Sequence, residues 1–262
     1  MDNLDTTWGY ASSDMYRQRW ALIRPHLAGD AFVLVDWGSD AGWFSISAAK
    51  AFPGATVISV ESGVMSDGQG LAMHRDKLAA LDVSNNVIVD AMFGPATFER
   101  LAASPADVQF VLSVFHHMGD GFGRYLNSVV EWDEAFRALV SSANVTFFEV
   151  PGHTAENETP HRIEDWFGGR EVEEVVQSAL DGSGLDATVE LLGETAHGSK
   201  GERQLFKISH GGETGTVDQI VVAISDAQSA TAALPANRAR LAAGRLLRTL
   251  GLRNKDIVSE NE

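Results

Sequence analysis

Apolar positions along the chain switch repeatedly between helical spacing and continuous β-branched runs. Met15, Trp20, Ile23 and Leu27 recur at roughly helical spacing, with Pro25 near the end, predicting an amphipathic helix over Met15–Leu27. Two short apolar runs ending in an acid, Ala31–Asp36 and Thr56–Glu61, read as buried strands, and the small-residue stretch Ser45–Phe52 between them reads as a helix. The same alternation continues: helix Gly70–Leu81, strand Val87–Asp90, short helix Pro95–Ala103, strand Val108–Phe115, helix Gly123–Val140, strand Val145–Val150, helix Glu164–Leu180. Thr188–Leu192 and Gln204–Ser209 then form two strands whose connection is too short for a helical crossover, so they pair as a hairpin. Five βα units closed by a hairpin give a mostly parallel α/β sheet with one antiparallel strand. Beyond it, Gly211–Gly215 reads as a linker, Val217–Ile224 as one more strand and Pro235–Leu250 as an arginine-rich helix.

Composition narrows the classes. The 262 residues are 44% hydrophobic, enough for a full core, and carry a formal net charge of −16. That charge argues against a nucleic-acid partner, which needs a basic face. The absence of cysteine excludes disulfides, thiolate metal sites and thiol nucleophiles. No charged-then-apolar leader pattern and no membrane-length apolar run are present, so the expectation is a cytoplasmic protein.

The chemistry concentrates where the first strand breaks. Val33-Leu-Val-Asp36-Trp-Gly38-Ser-Asp-Ala-Gly42-Trp-Phe-Ser places a glycine turn between a strand-ending acid and a helix, and Glu61 closes the next strand about one βαβ crossover later. Gly38 and Gly42 let backbone and ligand approach closely. Asp40, however, stands where a dinucleotide fingerprint has its middle glycine, and an acid there repels a pyrophosphate. A ligand with a cationic amino-acid end suits these acids better.

This segment resembles motif I of class I S-adenosylmethionine-dependent methyltransferases. Glu61 falls at that family's acidic ribose-binding position, Val89-Asp90-Ala91 resembles its adenine-flanking motif, and the terminal hairpin matches the family's sheet. The resemblance covers roughly residues 14–210. It implies a Rossmann-like seven-stranded sheet with helices on both faces, and S-adenosylmethionine as cofactor, held by Asp36, Gly38, Ser39, Gly42, Glu61, Asp90, Ala91 and Ser113. It divides the chain into a helical cover (1–30), a methyltransferase domain (31–210) and an accessory strand with a basic helix (211–262). Arg19, on the helix before the first strand, would pair with the methionine carboxylate.

Leu112-Ser-Val-Phe-His116-His117-Met puts two imidazoles beyond the fourth strand, where either could take a proton from an acceptor hydroxyl or amine. Ser-Val-Phe-His-His also resembles methyltransferase domains that cap bacterial O-antigen polysaccharides, which implies a small-molecule or saccharide oxygen as acceptor. Nitrogen remains the alternative. Glu149, ending the fifth strand, is a third candidate, to orient substrate or a histidine. No paired-ligand spacing supports a metal site. The polar loop Gly152–Arg162 lies at the same edge and is where acceptor specificity is expected. Trp37, Trp43 and Trp166 could stack on a ring or belong to the core.

Arg238, Arg240, Arg245, Arg248, Arg253 and Lys255, interleaved with leucines, form a basic amphipathic helix that would touch a membrane surface, a protein or a second copy of the chain. A non-catalytic protein of the same fold, acting as partner or regulator through this helix, is the competing function class.

Overall fold

The computed structural model of the protein describes residues 13–63, 68–118, 126, 128–151, 163–181, 183–196 and 202–232. The acceptor loop expected at Gly152–Arg162 and the basic helix expected over Arg238–Lys255 lie outside them. In chain order the elements are α1 (Ser13–Ile23), β1 (Val33–Trp37), α2 (Trp43–Ala51), β2 (Thr56–Glu61), α3 (Gln69–Ala80), β3 (Asn86–Asp90), α4 (Pro95–Leu101) and β4 (Ala106–Leu112). They continue as α5 (Val129–Ser141), β5 (Ala143–Pro151), α6 (Ile163–Phe167), α7 (Val172–Leu180), β6 (Thr188–Ala196), β7 (Glu202–Ser209) and α8 (Val217–Ala232).

The seven strands form one sheet in the order β3-β2-β1-β4-β5-β7-β6. β1 to β5 pair in parallel, and β7 runs antiparallel between β5 and β6. This is the mostly parallel sheet with a closing hairpin that the pattern predicts, and the seven-stranded Rossmann-like sheet that the resemblance implies. Strand order reverses between β1 and β4, the switch point at which open α/β sheets leave a crevice beyond their carboxyl ends.

Alternate strand residues feed two cores. Leu34, Val57, Phe110 and Phe147 pack on one face against Trp20 and Ile23 of α1 and Phe44 and Ile46 of α2. Val35, Ile58, Val111 and Phe148 pack on the other against Phe98 of α4, Phe136 of α5 and Val175 of α7. Serines and alanines at positions 45, 47, 48 and 49 let α2 lie close to the sheet, and all four are buried.

Three expectations are corrected. The helix predicted over Glu164–Leu180 is two, α6 and α7, because Gly168 and Gly169 adopt φ of +57° and +80° between them. The fourth strand ends at Leu112, three residues short of Phe115, and the histidines occupy a 3-10 turn, Phe115–Met118, beyond it.

The strand predicted at Val217–Ile224, part of the accessory segment, is the helix α8. A reciprocal cap starts it: the Thr216 amide donates to Gln219 Oε1 at 2.8 Å, and the Gln219 amide donates to Thr216 Oγ1 at 3.4 Å. Ile220 and Ile224, four residues apart, are both buried within the core that contains Phe98 and Leu101 of α4, so helical packing overrides the β-branched composition. The glycine-rich segment before it is stitched to the body. Asn144 Nδ2 donates to Gly212 O, Thr214 Oγ1 to Asp107, and the Gly215 amide to Pro105 O.

Candidate functional site

Strand register decides which acids meet. Asp36 lies opposite Ser59, two residues before Glu61, and Glu61 lies opposite Asp90. Asp36 also lies opposite Phe110, two residues before Leu112, whose partner is Glu149. Because side chains alternate faces along a strand, all four carboxylates project on the α1/α2 face at the carboxyl edge.

The glycine loop is held from several sides. The Gly38 and Ser39 amides both donate to Val60 O, and the Asp40 amide donates to Glu61 Oε2 at 2.8 Å. Glu61 Oε1 accepts from the Ser62 amide at 3.0 Å. Gly38 and Gly42 have φ of +67° and +80°. A Cβ on Gly38 would lie 2.4 Å from Val114 Cγ1, and one on Gly42 would lie 2.3 Å from the His74 ring. Both positions therefore demand glycine on conformation and on space.

Burial tunes these groups. Asp36 is enclosed beneath the loop, where loss of water raises its carboxyl to about 7; the Ser45 hydroxyl, which donates to it, opposes the rise, and Glu61 adds to it. Glu61 is raised chiefly by burial, with Asp40 and Asp90 adding repulsion against its amide hydrogen bonds. Ser39 Oγ is buried with no hydrogen-bond partner among the described residues. Asp90 is exposed at the rim and accepts from the Gly63 amide at 3.4 Å, and Ala91 is buried with its amide on Glu61 O. An acid-rich edge with an orphaned hydroxyl fits a ligand bearing positive charge and hydroxyl groups, and disfavours a pyrophosphate.

The β4–β5 side has a different character. Ser113 holds a left-handed backbone (φ +65°), and its hydroxyl donates to Glu149 Oε1 at 2.8 Å. Glu149, with 0% exposure, pairs with Arg19 Nε at 2.6 Å and Arg203 Nη1 at 3.5 Å. Arg19 thus meets Glu149 in the structure, and its guanidinium lies 5.9 Å from the Tyr16 ring, which stacks on Trp43. His116 is buried at 2% exposure while His117 is exposed, and their rings lie 4.0 Å apart. Trp37 and Trp166 are core residues that donate to Gln109 and Asp133. Among the described residues, no group of three or more acidic or histidine side chains is placed to hold a metal ion.

No protein-family model matches the sequence, and no curated protein does. Solved structures do. WbdD, described as a bifunctional kinase-methyltransferase, superposes with a TM-score of 0.51 at 18% identity over 75% of this chain and 39% of its own. The methyltransferase domain of bacterial CtHen1-C gives 0.51 at 14% identity, over 76% of this chain and 100% of that one. The likeness shows the fold: this chain shares its Rossmann-like sheet with these methyltransferase structures. At this identity the likeness concerns architecture, and the match spans about two fifths of WbdD.

Two residues escape sequence reasoning. His74 is a lone histidine on α3, yet its ring fills the space Gly42 leaves. Burial, with Lys77 and Arg75 nearby, lowers it to about 4 and keeps it neutral. Arg203 has one available signal, the parity it shares with Leu205 on β7, which directs it to the Glu149 face.

Proposed function

We propose that the protein transfers a methyl group from S-adenosylmethionine to an oxygen on a small molecule or saccharide. The observation that carries this reading is the pinned glycine loop flanked by Asp36, Glu61 and Asp90 at the switch point of a methyltransferase-type sheet. When bound, the cofactor supplies a methyl group already activated by its sulfonium. Glu61 receives ribose hydroxyls on the lone pairs left by its two amide contacts, Asp90 and Ala91 border the adenine, and Ser39 offers its unpartnered hydroxyl. Asp36, beneath the loop, favours a cationic ligand electrostatically.

On the acceptor side, His117 faces solvent and the buried His116 ring lies 4.0 Å from it at a tilt of 41°, which makes His117 the base or hydrogen-bonding group and His116 its support. Glu149 positions Ser113 and Arg19 from its buried seat. The resemblance of Ser-Val-Phe-His-His to glycan-capping domains supports a saccharide among the possible acceptors.

The test is transfer of labelled methyl from S-adenosylmethionine into fractionated extracts of the producing cells. His117→Ala is expected to slow transfer about 10²-fold with cofactor binding unchanged. If neither His117→Ala nor His116→Ala slows transfer, the histidine assignment is wrong. Cofactor binding without any transfer would favour the non-catalytic partner reading.

A further inference from the structure

Arg203 is the second residue of β7 and lies opposite Pro151, on the Glu149 face of the sheet and at its carboxyl edge. It is 4% exposed and shares Glu149 with Arg19 unequally: the short contact, 2.6 Å, belongs to Arg19, and Arg203 reaches the carboxylate only at 3.5 Å. Its Nε is buried with no hydrogen-bond partner among the described residues. Burial pushes the Arg203 pKa down, Glu149 offsets this incompletely, and Arg19 adds to the depression. A guanidinium nonetheless keeps its proton in proteins, so this is a buried cation whose charge and donors are under-compensated.

The neighbouring side of the edge cannot supply an anion's welcome. Asp36, Glu61 and Asp90 make the β1–β3 mouth repulsive to negative charge, and the chain as a whole carries −16. Attraction for an anion must therefore be local. Glu149 joins Arg203 to Ser113 through the same oxygen, and Ser113 stands three residues before His116, so Arg203 is adjacent to the acceptor side.

We propose that Arg203 anchors a carboxylate or phosphate carried by the methyl acceptor. The planar fork of arginine matches both groups through paired N–H donors. The bound anion completes the guanidinium that Glu149 leaves half satisfied, and holds the acceptor beside the Ser113–His117 turn. The inference rests on the methyltransferase reading for the word acceptor; the anion site itself does not.

The experiment titrates the full chain with phenyl phosphate and with benzoate by calorimetry, against sodium chloride at matched ionic strength. S-adenosylhomocysteine is titrated separately into the same samples. The expected result is saturable binding of at least one organic anion, weakened about tenfold or more in Arg203→Met, with S-adenosylhomocysteine affinity within about twofold of wild type. The tighter anion names the acceptor's group. Failure of both anions to bind the wild type overturns the proposal, as does wild-type anion affinity in Arg203→Met. If Arg203→Met does not fold by circular dichroism, Arg203→Lys carries the test. It keeps the charge and loses the fork, so unchanged affinity there overturns the anchor and a clear loss supports it. Anion binding that depends on Arg203 in a chain that ignores S-adenosylhomocysteine would support the anion site and refute the methyltransferase reading.

Discussion

Asp36 and His74 are buried titratable groups with opposite pH signatures. Asp36 is raised from 3.8 to about 7, so the folded chain holds a proton that the unfolded chain has released between those values. Stability from this group therefore falls as pH rises from about 4 to 7 and then levels. His74 is lowered from 6.5 to about 4, so its contribution is present above 6.5 and lost as pH falls towards 4. Asp36→Asn isolates the first effect: urea denaturation should show its stability relative to wild type rising by roughly 4 kcal/mol between pH 4 and pH 8. A difference that does not change with pH would refute the burial of a titrating Asp36. Gly42→Ala should lose roughly 2–4 kcal/mol, since the new methyl meets the His74 ring and the backbone stays left-handed. His74→Ala in that background should recover only part of the loss, because it relieves the clash and leaves the strain. Asp36, Gly38, Gly42 and Glu61 were legible because each ends or punctuates a strand. His74 and Arg203 were not, because their importance comes from partners distant in sequence.

Among elements, legibility followed burial. The central strands β1, β2 and β4 are largely apolar runs because helices cover both faces, and such runs announce themselves. Val217–Ile224 misled because its β-branched residues match a strand, while the evidence for a helix lies in the Thr216–Gln219 cap and in the seat on α4. Ile220→Ala should cost about 2–4 kcal/mol by urea denaturation, because a fully buried side chain leaves a cavity between α8 and α4. A cost below about 0.5 kcal/mol would mean that α8 does not pack there in solution. The histidine turn was displaced for a related reason. The apolar run continues through Val114 and Phe115, but the left-handed Ser113 ends the strand first, and periodicity carries no sign of such a residue.

At the scale of the molecule, sheet order converts scattered acids into one site. Register alone brings Asp36, Glu61, Asp90 and Glu149 to one face of one edge, and α1 closes over it through Tyr16 and Arg19. The division of that edge is electrostatic: acids on β1–β3, where we propose the cationic cofactor, and Arg203 on the β5–β7 side, where we propose an anionic acceptor group. The sequence showed the first half through strand-ending acids, and concealed the second because Arg203 sits two residues into a hairpin strand. The most direct test of the central claim is calorimetric titration of S-adenosylmethionine into the full chain and into Glu61→Ala. Saturable one-to-one binding to wild type, weakened about tenfold or more in a folded Glu61→Ala, is the predicted result. Absence of binding to the folded wild-type protein would contradict it.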